Sequence, residues 1–166
     1  MPWEQLASRA MLRASLGLPD ALYLRLGRGR DPEVYPVVPE DFAFGRAVRL
    51  LDGTDATIIA TGSEILRTRG VLVRVLDMHT IKPLDEEAVL AAASETGAIV
   101  TVEEHSVIGG LGGAVAEVLA DHAVAIPFLR HGVHDEYVLI GPPAALYDHY
   151  RLDAPGVAAV VGDLLA

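Results

Sequence analysis

The chain has 166 residues, 51% of them apolar and 22% charged, with no cysteine and a formal net charge of −10 at pH 7. This composition predicts a globular domain of ordinary size and excludes disulfides and thiolate-bound metals, while the negative charge argues against a nucleic-acid partner. No run reaches the roughly 18–20 apolar residues of a membrane span, and the N-terminus has no secretory pattern, so we expect a cytoplasmic protein without a membrane partner.

The N-terminal part is predicted to contain one helix and one strand. Residues 3–16 carry apolar positions at helical spacing and end at Gly17 and Pro19. Residues 21–26, ALYLRL, alternate as a strand does. Residues 31–46 combine prolines with scattered acidic residues, which suits an extended linker.

From residue 56 onward, strand and helix patterns alternate. The predicted strands are 56–61, 72–78, 98–104 and 124–130, and the predicted helices are 85–95 with Asp85 as N-cap, 112–121, AALYDHYRL and GVAAVVGDLL. This order predicts an α/β fold of three layers, with a doubly wound, mostly parallel sheet. The connection between Gly62 and Leu72 has nine residues, fewer than a parallel crossover normally needs.

A glycine-rich turn precedes the helix 112–121, in the stretch VEEHSVIGGLGGAVAEVL. Such turns can hold a phosphate, but the dinucleotide fingerprint G-x-G-x-x-G fails here because Val115 stands where its last glycine should be. The favoured interpretation is that the glycines permit positive φ and a close approach of the helix to the sheet.

Glu103, Glu104 and His105 end the predicted strand 98–104, where open α/β sheets place functional groups. Acid–base chemistry or metal binding is one hypothesis. Since neighbours in a strand point to opposite faces, the two carboxylates cannot converge while the strand continues. Hydrogen bonding to a partner chain is the favoured alternative.

His79 ends another predicted strand and is followed by Lys82, and contacts in the turn or with another subunit explain it better than chemistry. The remaining histidines of the C-terminal part lack zinc-ligand spacing. They are His122, His131, His134 and His149.

Arginines cluster at the end of the predicted strand 21–26, in LRLGRGR. Arg25, Arg28 and Arg30 could bind an anion such as a sugar phosphate, or could form a solvated cationic rim.

Taken together, these stretches resemble the C-terminal part of transketolases, in particular the small subunits of split, two-gene transketolases. The matching stretches run from about residue 4 to the C-terminus: YLRLGRG, FGRAVRLLDGTDATIIATGSE, VRVLDMHTIKPLDEEAVLAAASETGAIVTVEEHSVIGGLGGAVAEVLAD and GVHDEY. The resemblance implies that 1–30 are the last helix and strand of a pyrimidine-binding domain, 31–46 a linker and 47–166 the transketolase C-terminal domain.

Transketolases move a two-carbon ketol unit between sugar phosphates with thiamine diphosphate and Mg²⁺. In the family, the first two domains hold this cofactor and the third does not. The resemblance therefore implies a mainly structural, dimer-forming chain that binds no cofactor alone and needs an N-terminal transketolase subunit. It also places Arg28 where the family binds the substrate phosphate.

Two other hypotheses stay open. The chain could be a non-catalytic interaction or regulatory module derived from this domain. It could also belong to a deoxyxylulose-phosphate synthase or a pyruvate dehydrogenase beta subunit, which DMHTIKPLD disfavours. The short crossover could reflect omitted residues, a degenerate copy, or a sheet face covered by a neighbouring subunit.

Overall fold

A computed structural model describes residues 5–25, 37–40, 42–61 and 71–166. Within them lie α1 (Gln5–Ser15), β1 (Val48–Leu51), β2 (Ala56–Ala60), β3 (Val73–Asp77), α2 (Glu86–Glu95), β4 (Ile99–Ser106), α3 (Leu111–Asp121), β5 (Phe128–Val133), α4 (Pro143–His149) and α5 (Ala154–Leu165). No described helix is long and apolar enough to cross a membrane.

The five strands form one sheet in the order β1-β3-β2-β4-β5. β2 pairs in parallel with both β3 and β4, and β4 pairs in parallel with β5, whereas β1 is an antiparallel edge strand. The chain adds β3 on one side of β2 and then returns to its other side as β4. The predicted doubly wound, mostly parallel sheet is confirmed, and the order reverses between β2 and β4.

Alternating residues of the central strands pack into two apolar layers, one on each face of the sheet. On one face, Ile58 and Val100 belong to a cluster with Val157 and Val161 of α5. On the other face, a second cluster joins strand residues to α2 and α3: Ile59, Leu76, Ile99, Val89, Leu111 and Val115. Helices on both faces give the three predicted layers and bury β2 and β3 along their whole length.

The start of α2 follows the predicted capping. Asp85 Oδ1 accepts a hydrogen bond of 3.0 Å from Ala88 N, which satisfies one amide of the first helical turn. Asp85 Oδ2 accepts a second, of 2.8 Å, from Ala47 N, just before β1. One carboxylate therefore caps the helix and also holds the entry to the sheet domain.

Two strand predictions need correction. Residues 21–25 form no strand: an alternating pattern becomes a strand only beside a hydrogen-bonding neighbour, and the described residues provide none there. The last predicted strand, 124–130, instead begins at Phe128 and continues to Val133. Residue 26 and the short crossover, 62–70, lie outside the described residues.

Candidate functional site

The carboxyl ends of β2, β3 and β4 meet where the strand order reverses, the position at which open α/β sheets bind ligands. A cavity of about 910 Å³ lies there. Its sheet side includes Thr61, His79, Glu103 and His105, and its opposite wall is the segment 18–25. This cavity brings together several residues that the sequence singles out.

Glu103 is a buried carboxylate at this edge of the sheet, with 3% of its surface exposed. Its Oε2 accepts from Leu111 N and its Oε1 from Gly112 N, each at 2.8 Å. These amides start α3, where the helix dipole favours a negative charge. The side chain therefore occupies the position that a bound phosphate would take at a helix N-terminus.

The glycines of the loop leave room for this carboxylate. A Cβ on Gly110 would lie 1.9 Å from Glu103 Oε2. A Cβ on Gly112 would lie 2.8 Å from Thr101 Oγ1 of β4, and Gly109 has φ +74°. The predicted use of these glycines for close packing and positive φ is confirmed.

The three residues Glu103, Glu104 and His105 do not form one catalytic group. Glu104 Oε1 accepts a hydrogen bond from Tyr147 of α4. His105 is exposed, and its Nδ1 lies 3.0 Å from Ser106 O. The favoured interpretation, in which the glutamates contact a partner chain, is wrong for Glu103, because its carboxylate caps a helix of its own chain.

His79 is buried beneath the same edge, with 4% of its surface exposed. Burial lowers the pKa of His79 to about 4, and a weaker contribution from the Arg46 backbone opposes the shift. The ring stacks on Phe42 at 4.5 Å between centroids, and its Nδ1 lies 2.9 Å from Thr80 Oγ1. Nε2 completes no hydrogen bond to a described residue. His79 is therefore a neutral packing group near pH 7, in agreement with contacts in the turn.

The other histidines are dispersed, as their spacing predicts. Burial lowers the pKa of His131, whose Nε2 lies 2.7 Å from Arg151 O. His122 Nε2 lies 3.6 Å from Glu86 Oε2 on the surface. Across the described ranges, no group of three or more His, Asp or Glu residues is placed to hold a metal ion.

Of the three predicted anion-binding arginines, the structure describes one, Arg25. Arg25 is exposed and lines the cavity, as does Lys82. Arg28 and Arg30 lie outside the described residues. The assignment of Arg28 to a substrate phosphate therefore stays a prediction.

The capping role of Glu103 was not predicted from the sequence, although one feature of the sequence indicates it. The N-cap of α3 is Gly110, which has no side chain to accept from the first amides of the helix. Another acceptor must serve those amides in a buried helix start. Glu103 of the preceding strand, β4, is that acceptor.

The sheet order and the helices on both faces define a three-layer α/β domain. At the N-terminus of α3, where an anion could bind, the domain places its own Glu103 carboxylate. The family model for the C-terminal domain of transketolase matches residues 45–157, and the chain belongs to this family.

Individual relatives extend the similarity beyond that domain. The chain is 41% identical to one subunit of the apulose-4-phosphate transketolase of Phocaeicola vulgatus, over 95% of this chain and 53% of the relative. It is also 41% identical to a 1-deoxy-D-xylulose-5-phosphate synthase of Syntrophotalea carbinolica, over 76% of this chain and 21% of the relative. A solved split-gene transketolase, described as an inactive beta4 tetramer, matches with a TM-score of 0.86 at 39% identity, over 99% of this chain and 56% of that one. The chain thus spans about half the length of the transketolase subunits that it matches.

Proposed function

We propose that this chain is the C-terminal part or subunit of a thiamine-diphosphate-dependent transketolase, with a structural role in the assembly. The observation that carries the proposal is the match to one subunit of an apulose-4-phosphate transketolase over 95% of the chain. In the proposed enzyme, a two-carbon ketol unit passes between sugar phosphates at a site outside this sheet domain.

The filled helix start supports a non-catalytic role for the sheet domain. Glu103 already uses the amides of Leu111 and Gly112, which a diphosphate would otherwise contact. The described residues also offer no cluster of three metal-binding side chains for Mg²⁺. Because these residues do not fit the cofactor, we assign thiamine diphosphate and Mg²⁺ to an N-terminal transketolase subunit.

The N-terminal segment supports a partner of this kind. Leu12 of α1 is 50% exposed, Leu16 just after α1 is 87% exposed, and Tyr23 is 87% exposed. Residues of this size are normally covered when they cluster on one segment. We therefore propose that residues 1–30 complete a pyrimidine-binding domain together with the partner. Residues 31–46 are then the linker, and 47–166 form the C-terminal domain.

We also propose that Arg28, within residues 1–30, contacts the substrate phosphate at an active site shared with the partner. A guanidinium can donate two parallel hydrogen bonds to a phosphate. Arg25, which lines the cavity, lies three positions earlier in the chain. In the reconstituted enzyme, Arg28→Ala should raise KM for phosphorylated sugars, and Arg49→Ala, at an exposed arginine of the edge strand β1, is its matched control.

We also propose that copies of this chain associate with each other. The solved relative that matches 99% of the chain is described as a tetramer of its beta subunit. We propose a homodimer as the smallest such unit, located in the cytoplasm. The net charge of −10 supports a protein partner over a nucleic acid.

The test of the proposed function has two arms. Titration calorimetry on the isolated chain should show no thiamine diphosphate binding, with or without Mg²⁺. Addition of an N-terminal transketolase subunit should give both binding and ketol transfer. A micromolar Kd for the isolated chain would overturn the domain assignment, and an inactive mixture would favour the regulatory-module alternative.

A second function is favoured by the 41% identity to a 1-deoxy-D-xylulose-5-phosphate synthase over 135 residues. The same mixture distinguishes the two enzymes by product. Formation of 1-deoxy-D-xylulose 5-phosphate from pyruvate and glyceraldehyde 3-phosphate, with release of CO2 and without ketol transfer between sugar phosphates, would assign the chain to the synthase.

A further inference from the structure

The loop that joins β3 to α2, here called the 79–85 loop, packs against the stretch that leads into β1. That stretch, residues 42–47, is here called the junction. At its start, the ring of Phe42 stacks on His79, with 4.5 Å between the ring centroids and 28° between the ring planes. Because His79 is itself buried, this stack fixes the start of the junction against the sheet domain.

Two further contacts hold the rest of the junction. Ala47 N donates a hydrogen bond of 2.8 Å to Asp85 Oδ2, at the far end of the loop. Between these ends, Gly45 has φ +73°, and a Cβ on it would lie 2.9 Å from Pro83 Cγ. Glycine permits both this left-handed backbone and the close approach to the proline ring. One loop therefore fixes the start, the middle and the end of the junction.

The junction also faces the N-terminal segment. Phe44 lines the cavity of about 910 Å³ together with Ile81 of the 79–85 loop and with residues 18–25. Met11 of α1 lines the same cavity and is 2% exposed. The loop, the junction and the segment thus surround one cavity, so that a shift of the junction alters the wall that faces the segment.

We propose that the 79–85 loop is a positioning device, which holds the junction so that residues 5–25 keep one orientation relative to the sheet domain. For catalysis, the inference rests on the proposed function, because the segment leads directly to Arg28, the proposed phosphate contact. His79 and Phe42 act through the junction and are positioning residues. A segment that is oriented before its partner binds loses less conformational entropy in the complex.

Two variants should loosen the junction by different means. Phe42→Ala removes the stacked ring, and Gly45→Ala places a Cβ against Pro83 at a positive φ. Asp85→Ala is less selective, because the same carboxylate caps α2. Val37→Ala is the matched control, since Val37 precedes the junction in the chain and is 76% exposed.

The chain has no cysteine, so spin labels can be placed at chosen positions. Leu16→Cys in the segment and Ile108→Cys in the sheet domain give one labelled pair, at residues 87% and 61% exposed. In pulsed electron paramagnetic resonance, the otherwise wild-type chain should give a narrow distance distribution for this pair. Phe42→Ala and Gly45→Ala should each broaden it by about twofold or more, because the junction then acts as a hinge. Val37→Ala should leave it unchanged.

A second labelled pair, Leu72→Cys/Ile108→Cys, lies within the sheet domain and reports whether that domain stays intact. Its distance distribution should be narrow in every variant. If the Leu16/Ile108 pair were unchanged in both Phe42→Ala and Gly45→Ala, the inference would be overturned, whatever the assembled enzyme does. Equal broadening of the second pair would show a general loosening of the domain and would also overturn it.

The consequence for catalysis is measured in the enzyme reconstituted with an N-terminal transketolase subunit. Phe42→Ala should lower kcat/KM for phosphorylated sugars by about tenfold or more, since small misplacements of binding groups are costly. Phe42→Tyr keeps the stacked ring and should restore the wild-type value. Broadened distances with an unchanged kcat/KM would overturn the role in catalysis. An inactive wild-type mixture would overturn the proposed function instead, and the distances would still decide whether the loop orients the segment.

Discussion

The sheet domain and the N-terminal segment differ in how their side chains are satisfied. In the sheet domain, the apolar residues of β2 fill two internal clusters, and the buried Glu103 finds both of its donors within the same chain. In the segment 5–25, Leu16 and Tyr23 are almost entirely exposed. The first region has what an independently stable unit needs, whereas the second leaves large apolar side chains in solvent. We propose that a partner chain completes the second region, so that the sheet domain is the finished region and residues 5–25 belong to the unfinished one.

The strongest effect should come from the core of the finished region. Ile58 is 1% exposed and packs in the cluster that joins the sheet to α5. Ile58→Ala should lower the free energy of unfolding by about 2–5 kcal/mol, because it removes apolar contact and leaves a cavity. Urea unfolding of the isolated chain measures the effect, with the exposed Ile108→Ala as control. Equal stability of the two variants would show that the sheet domain is not a packed unit alone.

The next effect concerns the carboxylate at the start of α3. Glu103→Ala leaves two buried amides without an acceptor and should destabilise the chain by about 1–3 kcal/mol. Since the emptied position is a helix N-terminus, about 20 mM phosphate should recover part of the thermal stability of this variant. Glu103→Gln, which keeps one acceptor oxygen, should lose less.

The effect of phosphate on the wild type tests whether the Glu103 carboxylate occupies an anion-binding position at the start of α3. It should gain no stability from phosphate beyond what chloride buffers of equal ionic strength give. If phosphate stabilised the wild type and Glu103→Ala to the same degree, the phosphate would be acting elsewhere, and the role of Glu103 would be limited to capping.

A third effect depends on pH and comes from His79 under the cavity. Burial lowers the pKa of His79 to about 4 in the folded chain, from 6.5. The unfolded chain therefore binds a proton between pH 6.5 and 4 that the folded chain does not. Stability should be fully present above pH 6.5 and fall by about 1–3 kcal/mol as the pH drops through that window.

His79→Gln isolates this contribution, because a glutamine does not titrate. The slope of unfolding free energy against pH should become shallower in the variant over the same window. Some slope should remain, since burial also lowers the pKa of His131. An identical slope in wild type and variant would show that His79 is protonated equally in both states.

The sequence predicted the parts of the fold that depend on local patterns. The apolar run of β2 is buried throughout, and Asp85 caps α2 as its position before two glutamates suggested. β1 was not predicted, because it has only four residues at a sheet edge and no continuous apolar run. The strand predicted at 21–26 failed over 21–25 because a pattern does not reveal whether a neighbouring strand is present. The role of Glu103 depends on a contact between two elements, which the spacing of residues along the chain does not express.

The weakest effect on the isolated chain should come from the unfinished region, and it tests the comparison most directly. Leu16→Ser/Tyr23→Ser should change the free energy of unfolding by less than about 0.5 kcal/mol, because both side chains are largely in solvent already. The same variant should bind the N-terminal transketolase subunit at least tenfold more weakly in calorimetry, whereas Ile108→Ser should bind it normally. Loss of stability without loss of binding would mean that the segment packs against its own chain. Leu16 and Tyr23 would then belong to the sheet domain, and the boundary between the two regions would have to move.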